Sequence, residues 1–252
     1  MNMCATNRSD LNYEVWGMGE RGTLVFVHGS GGDCSKWDQQ LQNLPYGFKG
    51  LAFDLPGHGE SPGPLCTSVA EAAIMVKELI DTLKPARPVI LAGHSLGAAI
   101  SLQTAFEFSE LLQGIILIGG GATLRVMPSL LEALGQGKKE LGFLKLCFAA
   151  GASDELYKQE LESFTKVDTD VLFNDFDSCN KFDLREKLNE INLPTLIIVG
   201  EEDKMTPLKS SQLLHSGIKN SVLQVVPSAG HYAMKEKPDA VNSLIKQFCA
   251  RF

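Results

Sequence analysis

Six short runs of uninterrupted apolar residues set the limits on this fold. They span residues 24–28, 50–54, 89–92, 114–118, 195–199 and 222–226. A strand with one face in water alternates apolar and polar residues, whereas a strand covered on both faces does not. Helical patterns lie between the runs. In 69–83, Ala72, Val76, Leu79, Ile80 and Leu83 recur at helical spacing, and 96–108 and 238–248 read the same way. Strands that alternate with helices build an open, mostly parallel α/β sheet flanked by helices. The stretch 11–16 alternates more and reads as an antiparallel edge strand.

One region breaks this rhythm. From 122 to 181 there is no strand pattern. Met127, Leu130, Leu131 and Leu134 share helical spacing, as do Phe143, Leu144, Leu146, Cys147 and Phe148, and a further helix is expected over 156–164. The region reads as a helical insertion between the fourth and fifth core strands, lying over the strand ends. The expected division is therefore a core of residues 1–121 and 182–252 and an insertion of 122–181. With 252 residues and a hydrophobic fraction of 44%, the chain can bury the core this requires.

Other classes are set aside by composition. The formal net charge is −7 and no basic stripe is present, so no nucleic-acid partner is expected. The first ten residues lack the apolar stretch of a secretory signal. No apolar run approaches the ~20 residues of a membrane-spanning helix. The cysteines Cys4, Cys34, Cys66, Cys147, Cys179 and Cys249 are scattered, with no CxxC and no metal-ligand spacing. The expectation is six reduced thiols in a cytoplasmic protein, with no bound metal.

Chemistry enters at Gly93-His94-Ser95-Leu96-Gly97, directly after the third run and directly before a helix. A strand, a tight turn and a helix in that order lift the turn's serine to the top of a sheet. Serine is a weak nucleophile without a base. The histidines are His28, His58, His94, His215 and His231. A site built on this turn runs nucleophile, acid, histidine along the chain, which leaves His215 and His231. His215 belongs to Ser210-Ser211-Gln212-Leu213-Leu214-His215, which reads as a surface helix. His231 follows the last strand in Pro227-Ser228-Ala229-Gly230-His231-Tyr232 and is the expected base. The acid is expected after the fifth run, where Asp203 is preferred and Glu201 and Glu202 are its neighbours. The loop after the fourth run, Gly119-Gly120-Gly121-Ala122-Thr123, offers no carboxylate. Donors for a developing oxyanion are expected from the Leu96 N–H and from the Ser30 N–H in the loop His28-Gly29-Ser30-Gly31-Gly32.

Together with Phe53-Asp54-Leu55-Pro56-Gly57-His58-Gly59-Glu60-Ser61, these loops resemble the α/β-hydrolase superfamily, most of all its small bacterial carboxylesterases with a helical cap. The likeness covers nearly the whole chain, and 122–181 resembles the family's cap. It implies that Ser95 attacks the carbonyl of a small-molecule ester, one of a small to medium apolar substrate, that His231 takes its proton while Asp203 orients the ring, and that an acyl-enzyme forms and is hydrolysed. It implies no metal and no organic cofactor. Asp54, His58 and Ser61 are given structural roles. Met127, Leu130, Leu134, Phe143, Leu146, Phe148 and Phe164 either line an apolar acyl pocket or form the cap's own core. A carbon–carbon bond hydrolase, a thioesterase, a cofactor-free haloperoxidase or perhydrolase, and a ligand-sensing receptor remain open alternatives. The oligomeric state is not legible.

Overall fold

The computed structural model describes residues 2–252. Its strands are β1 (Asn2–Ala5), β2 (Asp10–Trp16), β3 (Gly22–Val27), β4 (Phe48–Phe53), β5 (Val89–His94), β6 (Gly114–Ile118), β7 (Thr195–Gly200) and β8 (Ser221–Val226). They form one sheet in the order β1-β2-β4-β3-β5-β6-β7-β8. β3 to β8 run parallel, while β2 pairs antiparallel with β4 and β1 antiparallel with β2. Every residue of β3, β5, β6 and β7 is buried, as continuous apolar runs require.

The structure departs from the sequence reading at both sheet edges. β8 pairs only with β7, and Val222 and Val225 reach solvent, so this apolar run is not covered on both faces. β1 has four residues, too few to show a strand pattern of its own. It exists because β2 offers it a ladder from Asn2↔Tyr13 to Ala5↔Asp10.

The helix Val69–Leu83 shows how local chemistry sets element ends. Ser68 Oγ accepts the Glu71 N–H, and Glu71 reaches back to the Thr67 N–H. Such a cap is worth about 1 kcal/mol. The face carrying Ala72, Met75, Val76, Leu79 and Ile80 is buried on the sheet.

Between β6 and β7 lie the helices Pro128–Gly135, Asp154–Lys166 and Thr169–Lys181 and a 3-10 turn at Leu141–Cys147. A bridge between Thr123 and Asp183 closes the neck of this insert. Leu134, Phe143, Leu144, Phe164 and Leu172 join the apolar cluster that contains Phe26, Trp37 and Ile118. The insert thus buries its apolar faces against the upper layer of the core.

Candidate active site

Ser95 is the single residue between β5 and the helix Leu96–Glu107. Its backbone sits at φ 54°, ψ −114°. Such a conformation costs a side-chain-bearing residue about 1–3 kcal/mol. The surroundings hold it there: Ser95 N–H donates to the Ile118 carbonyl at 3.0 Å, and Ser95 O accepts from Ala98 and Ala99. Gly93 and Gly97 make the turn sterically feasible. A Cβ on Gly97 would strike the Val27 carbonyl, and one on Gly93 would strike the Gly97 carbonyl. The Ser95 side chain does not cap its own helix and lies on a cavity wall.

His231 follows β8 and Asp203 follows β7, so neighbouring strands bring them together. His231 Nδ1 lies 2.9 Å from Asp203 Oδ2. Thr206 Oγ1 also donates to that oxygen, and Asp203 Oδ1 accepts the Met205 and Thr206 N–H groups. Burial pushes the Asp203 carboxyl upward, but attraction to His231 and these hydrogen bonds outweigh it and hold the group below its ordinary 3.8. Glu202 instead accepts the Ala150 N–H, and Glu201 accepts the Ser228 N–H. Among the described residues no hydrogen bond joins Ser95 Oγ to His231. Contacts of this kind often close only when substrate is bound.

His94 has a place the sequence did not suggest. Its ring packs 4.7 Å from that of His231, and its Nε2–H donates to the His231 carbonyl at 2.9 Å. Burial first, and then the facing His231, hold it far below its ordinary pKa, so it is neutral. The His231 N–H donates to the Cys147 carbonyl of the insert at 2.7 Å. Glu236 accepts both the Gly230 and Ala149 N–H groups. Three ties, the third being Glu202 to Ala150, therefore join residues 147–150 to the loops around His231 and Asp203.

The loop after β3 packs against the Ser95 turn: a Cβ on Gly29 would lie 3.2 Å from Ser95 Cβ. Gly32 N–H donates to Gly29 O, and Gly31 N–H donates to Asp175. Among the described residues the Ser30 and Leu96 N–H groups have no protein acceptor. Leu96 opens its helix, where unpaired N–H groups create a partial positive charge.

Ser95, Ser30 and His231 line a narrow cavity of ≈ 60 Å3. That is room for roughly five waters. Phe143 and Phe164 also line it. The other insert residues considered from the sequence do not. Met127 and Leu146 are 43% and 40% exposed and face solvent. Leu130 and Leu134 are buried in the apolar cluster, on the core-facing side of Pro128–Gly135. Phe148 stacks on Tyr232 at 5.3 Å. Helical periodicity identifies an apolar face but not what that face meets, and burial in the apolar cluster is the second of the two placements the sequence left open for Leu130, Leu134 and Phe148. Phe176 and Cys179 line the cavity instead, and Phe176 meets Phe143 edge-on at 5.5 Å. Leu172, Phe176 and Cys179 repeat at helical spacing, the one signal that could have found them. Lys36 reaches the wall too, but its charge is matched by Glu160 at 2.8 Å, which also pairs with Lys235.

All six cysteines are unpaired. Burial pushes the Cys179 thiol up to about 12, and it contacts Ser30 Oγ at 3.7 Å. Among the described residues no group of His, Cys, Asp or Glu could hold a metal, and no helix is long and apolar enough to cross a membrane.

A sheet with this strand order and a serine on such a turn is the architecture of an α/β hydrolase. Residues 24–244 match the Alpha/beta hydrolase family, and the chain belongs to it. It is 33% identical to a thermophilic esterase of known structure, with a TM-score of 0.87 over 99% of this chain and 97% of the other. It is 28% identical over 262 residues to the 2-hydroxy-6-oxononadienedioate/2-hydroxy-6-oxononatrienedioate hydrolase of Paraburkholderia phymatum, covering 94% of this chain and 90% of that protein. It is 26% identical over 251 residues to Protein ABHD8 of Mus musculus, which takes in 89% of this chain but 54% of that protein, so the chain spans about half that relative's length.

Proposed function

We propose that this α/β hydrolase is a serine carboxylesterase for small esters with a short apolar acyl group. The observation that carries the reading is the 2.9 Å contact between Asp203 Oδ2 and His231 Nδ1, on a cavity wall shared with Ser95. With its Nδ1–H given to Asp203, the neutral ring keeps Nε2 as its basic nitrogen. Ser95 Oγ attacks the ester carbonyl and Nε2 takes its proton. The Ser30 and Leu96 N–H groups receive the oxyanion. Collapse expels the alcohol, protonated by His231. Water activated by the same nitrogen then hydrolyses the acyl-enzyme. Asp203 stabilises the imidazolium formed in each half-reaction, and neutral His94 places no opposing charge beside it. The helices of 122–181 act as a cap that supplies the apolar acyl wall. Neither a metal nor an organic cofactor enters these steps, and we assign the enzyme to the cytoplasm.

The cavity sets the chain-length expectation. With p-nitrophenyl esters of increasing acyl length, kcat/KM is expected to peak between acetyl and butyryl and to fall by octanoyl. An optimum at long chains, or a strong preference for charged acyl groups, would contradict the reading. His231→Ala is expected to lower turnover by several orders of magnitude while circular dichroism still reports a folded chain. Near-normal turnover in that variant would rule out His231 as the base.

The similarity to the Paraburkholderia enzyme supports a second reading, carbon–carbon bond hydrolysis by the same groups. Folded protein that ignores esters but cleaves a 2-hydroxy-6-oxo-dienoate would establish it. His94 stands here before the serine, where enzymes of that kind often carry Asn, and this favours the ester.

A further inference from the structure

His28 and His58 face each other with ring centroids 5.0 Å apart, and their partners give them different charge states, one neutral and one cationic. His28 donates through Nδ1 to the Gly29 carbonyl and accepts the Leu55 N–H at Nε2. One donor and one acceptor describe a neutral ring, and burial first, then His58, lower its pKa to about 4. His58 has two acceptors and no donor: Nδ1 meets the Pro56 carbonyl at 3.1 Å and Nε2 meets Asp175 Oδ2 at 2.9 Å. Only a doubly protonated imidazolium satisfies both. Burial works against that charge, but Asp175 and the hydrogen bonds outweigh it and raise the group above its ordinary 6.5.

Asp175 is buried and belongs to the insert helix Thr169–Lys181. Its Oδ2 is also the atom that accepts the Gly31 N–H, at 2.8 Å. Gly31 has φ +62° and follows Ser30 directly. A single carboxylate oxygen, 117 residues from His58 and 144 from Gly31, thus ties the insert to the Ser30 loop.

We propose that Asp175 is a positioning residue that fixes the loop presenting the Ser30 N–H, and that protonated His58 holds Asp175 in place. This rests on the reading of Ser30 as an oxyanion donor. Its consequence is a limit on the alkaline side that does not belong to Ser95, Asp203 or His231. Because the His58 pKa is raised on folding, its contribution is complete below 6.5 and is lost as pH rises through the higher native value. Neutral His58 keeps one N–H for two acceptors. The groups facing it are Asp175, Asp54 and the neutral His28. The adjoining groove adds Asp33, Glu60, Glu162 and Asp168 against Lys166, an excess of negative charge that also favours the imidazolium.

The test uses the whole protein labelled with 15N at histidine, with the His58 signals assigned by their loss in His58→Gln. Both His58 nitrogens are expected to be protonated near neutral pH, and Asp175→Asn is expected to move the titration to lower pH. A neutral His58 near neutral pH, or a titration unmoved by Asp175→Asn, would overturn the proposal. In parallel, kcat and KM for p-nitrophenyl acetate are followed against pH. Removing one oxyanion donor costs about 100- to 1000-fold, and loosening one should cost a part of that, about 10- to 100-fold in kcat, with KM little changed. Asp175→Ala is expected to show that loss. Asp175→Asn, which keeps an acceptor for Gly31, is expected to recover most of it near neutral pH and to lose activity at a lower alkaline pH than the wild type. Equal kcat in wild type and a folded Asp175→Ala would also overturn the proposal. Should wild type hydrolyse no ester, the ester reading fails, while the histidine spectra still decide whether the tie exists.

Discussion

Replacing Ser95 with alanine is expected to lower kcat on p-nitrophenyl esters by on the order of 10^6-fold while leaving the chain folded. The change removes the attacking oxygen and little else. The side chain does not cap its helix, and the backbone that imposes φ 54° is anchored through Ile118, Ala98 and Ala99, all by main-chain atoms. The thermal midpoint should therefore stay close to that of wild type. Residual turnover should show no burst of nitrophenol, since no acyl-enzyme can form. A variant that kept a tenth of wild-type activity would mean that another group attacks.

Asp203→Asn is expected to cost about 10^4-fold in kcat. The hydrogen bonds around this residue explain why so small a change does so much. Two backbone N–H groups, of Met205 and Thr206, point at Oδ1. They require an oxygen there, so the asparagine must turn its NH2 toward His231. His231 Nδ1 must then accept, the proton moves to Nε2, and the nitrogen that should act as base is occupied. Acid titration gives a second signature. The wild-type carboxylate contributes stability that is complete above 3.8 and lost as pH falls through its lowered native value. Unfolding curves of Asp203→Asn should lack that slope. Near-normal turnover would instead move the acid's role to Glu202 or Glu201, both now occupied with backbone N–H groups.

The sequence makes the core sheet readable because β3 to β7 carry uninterrupted apolar runs and β2 alternates. The loops holding Ser95, Asp203 and His231 are readable because each directly follows a strand. Contacts between distant segments are another matter. Nothing near Asn2–Ala5 says that β2 will pair with it. The apolar spacing of Leu130 and Leu134 is that of a helix face, whether that face meets core or cavity. The bond from His94 to the His231 carbonyl joins residues 137 apart, and no local pattern encodes it. His58, read as purely structural, gains its meaning only from Asp175 on the far side of the insert.

The ties between residues 147–150 and the loops around His231 and Asp203 bear on how this α/β hydrolase chain can be re-engineered. The insert is not a detachable lid. Exchanging it for foreign helices would take away the carbonyl that receives the His231 N–H and the amides that hold Glu236 and Glu202. A chimera meant to change substrate choice should therefore keep 147–150 with the recipient and exchange only the helices Asp154–Lys166 and Thr169–Lys181, with Asp175 retained on the second.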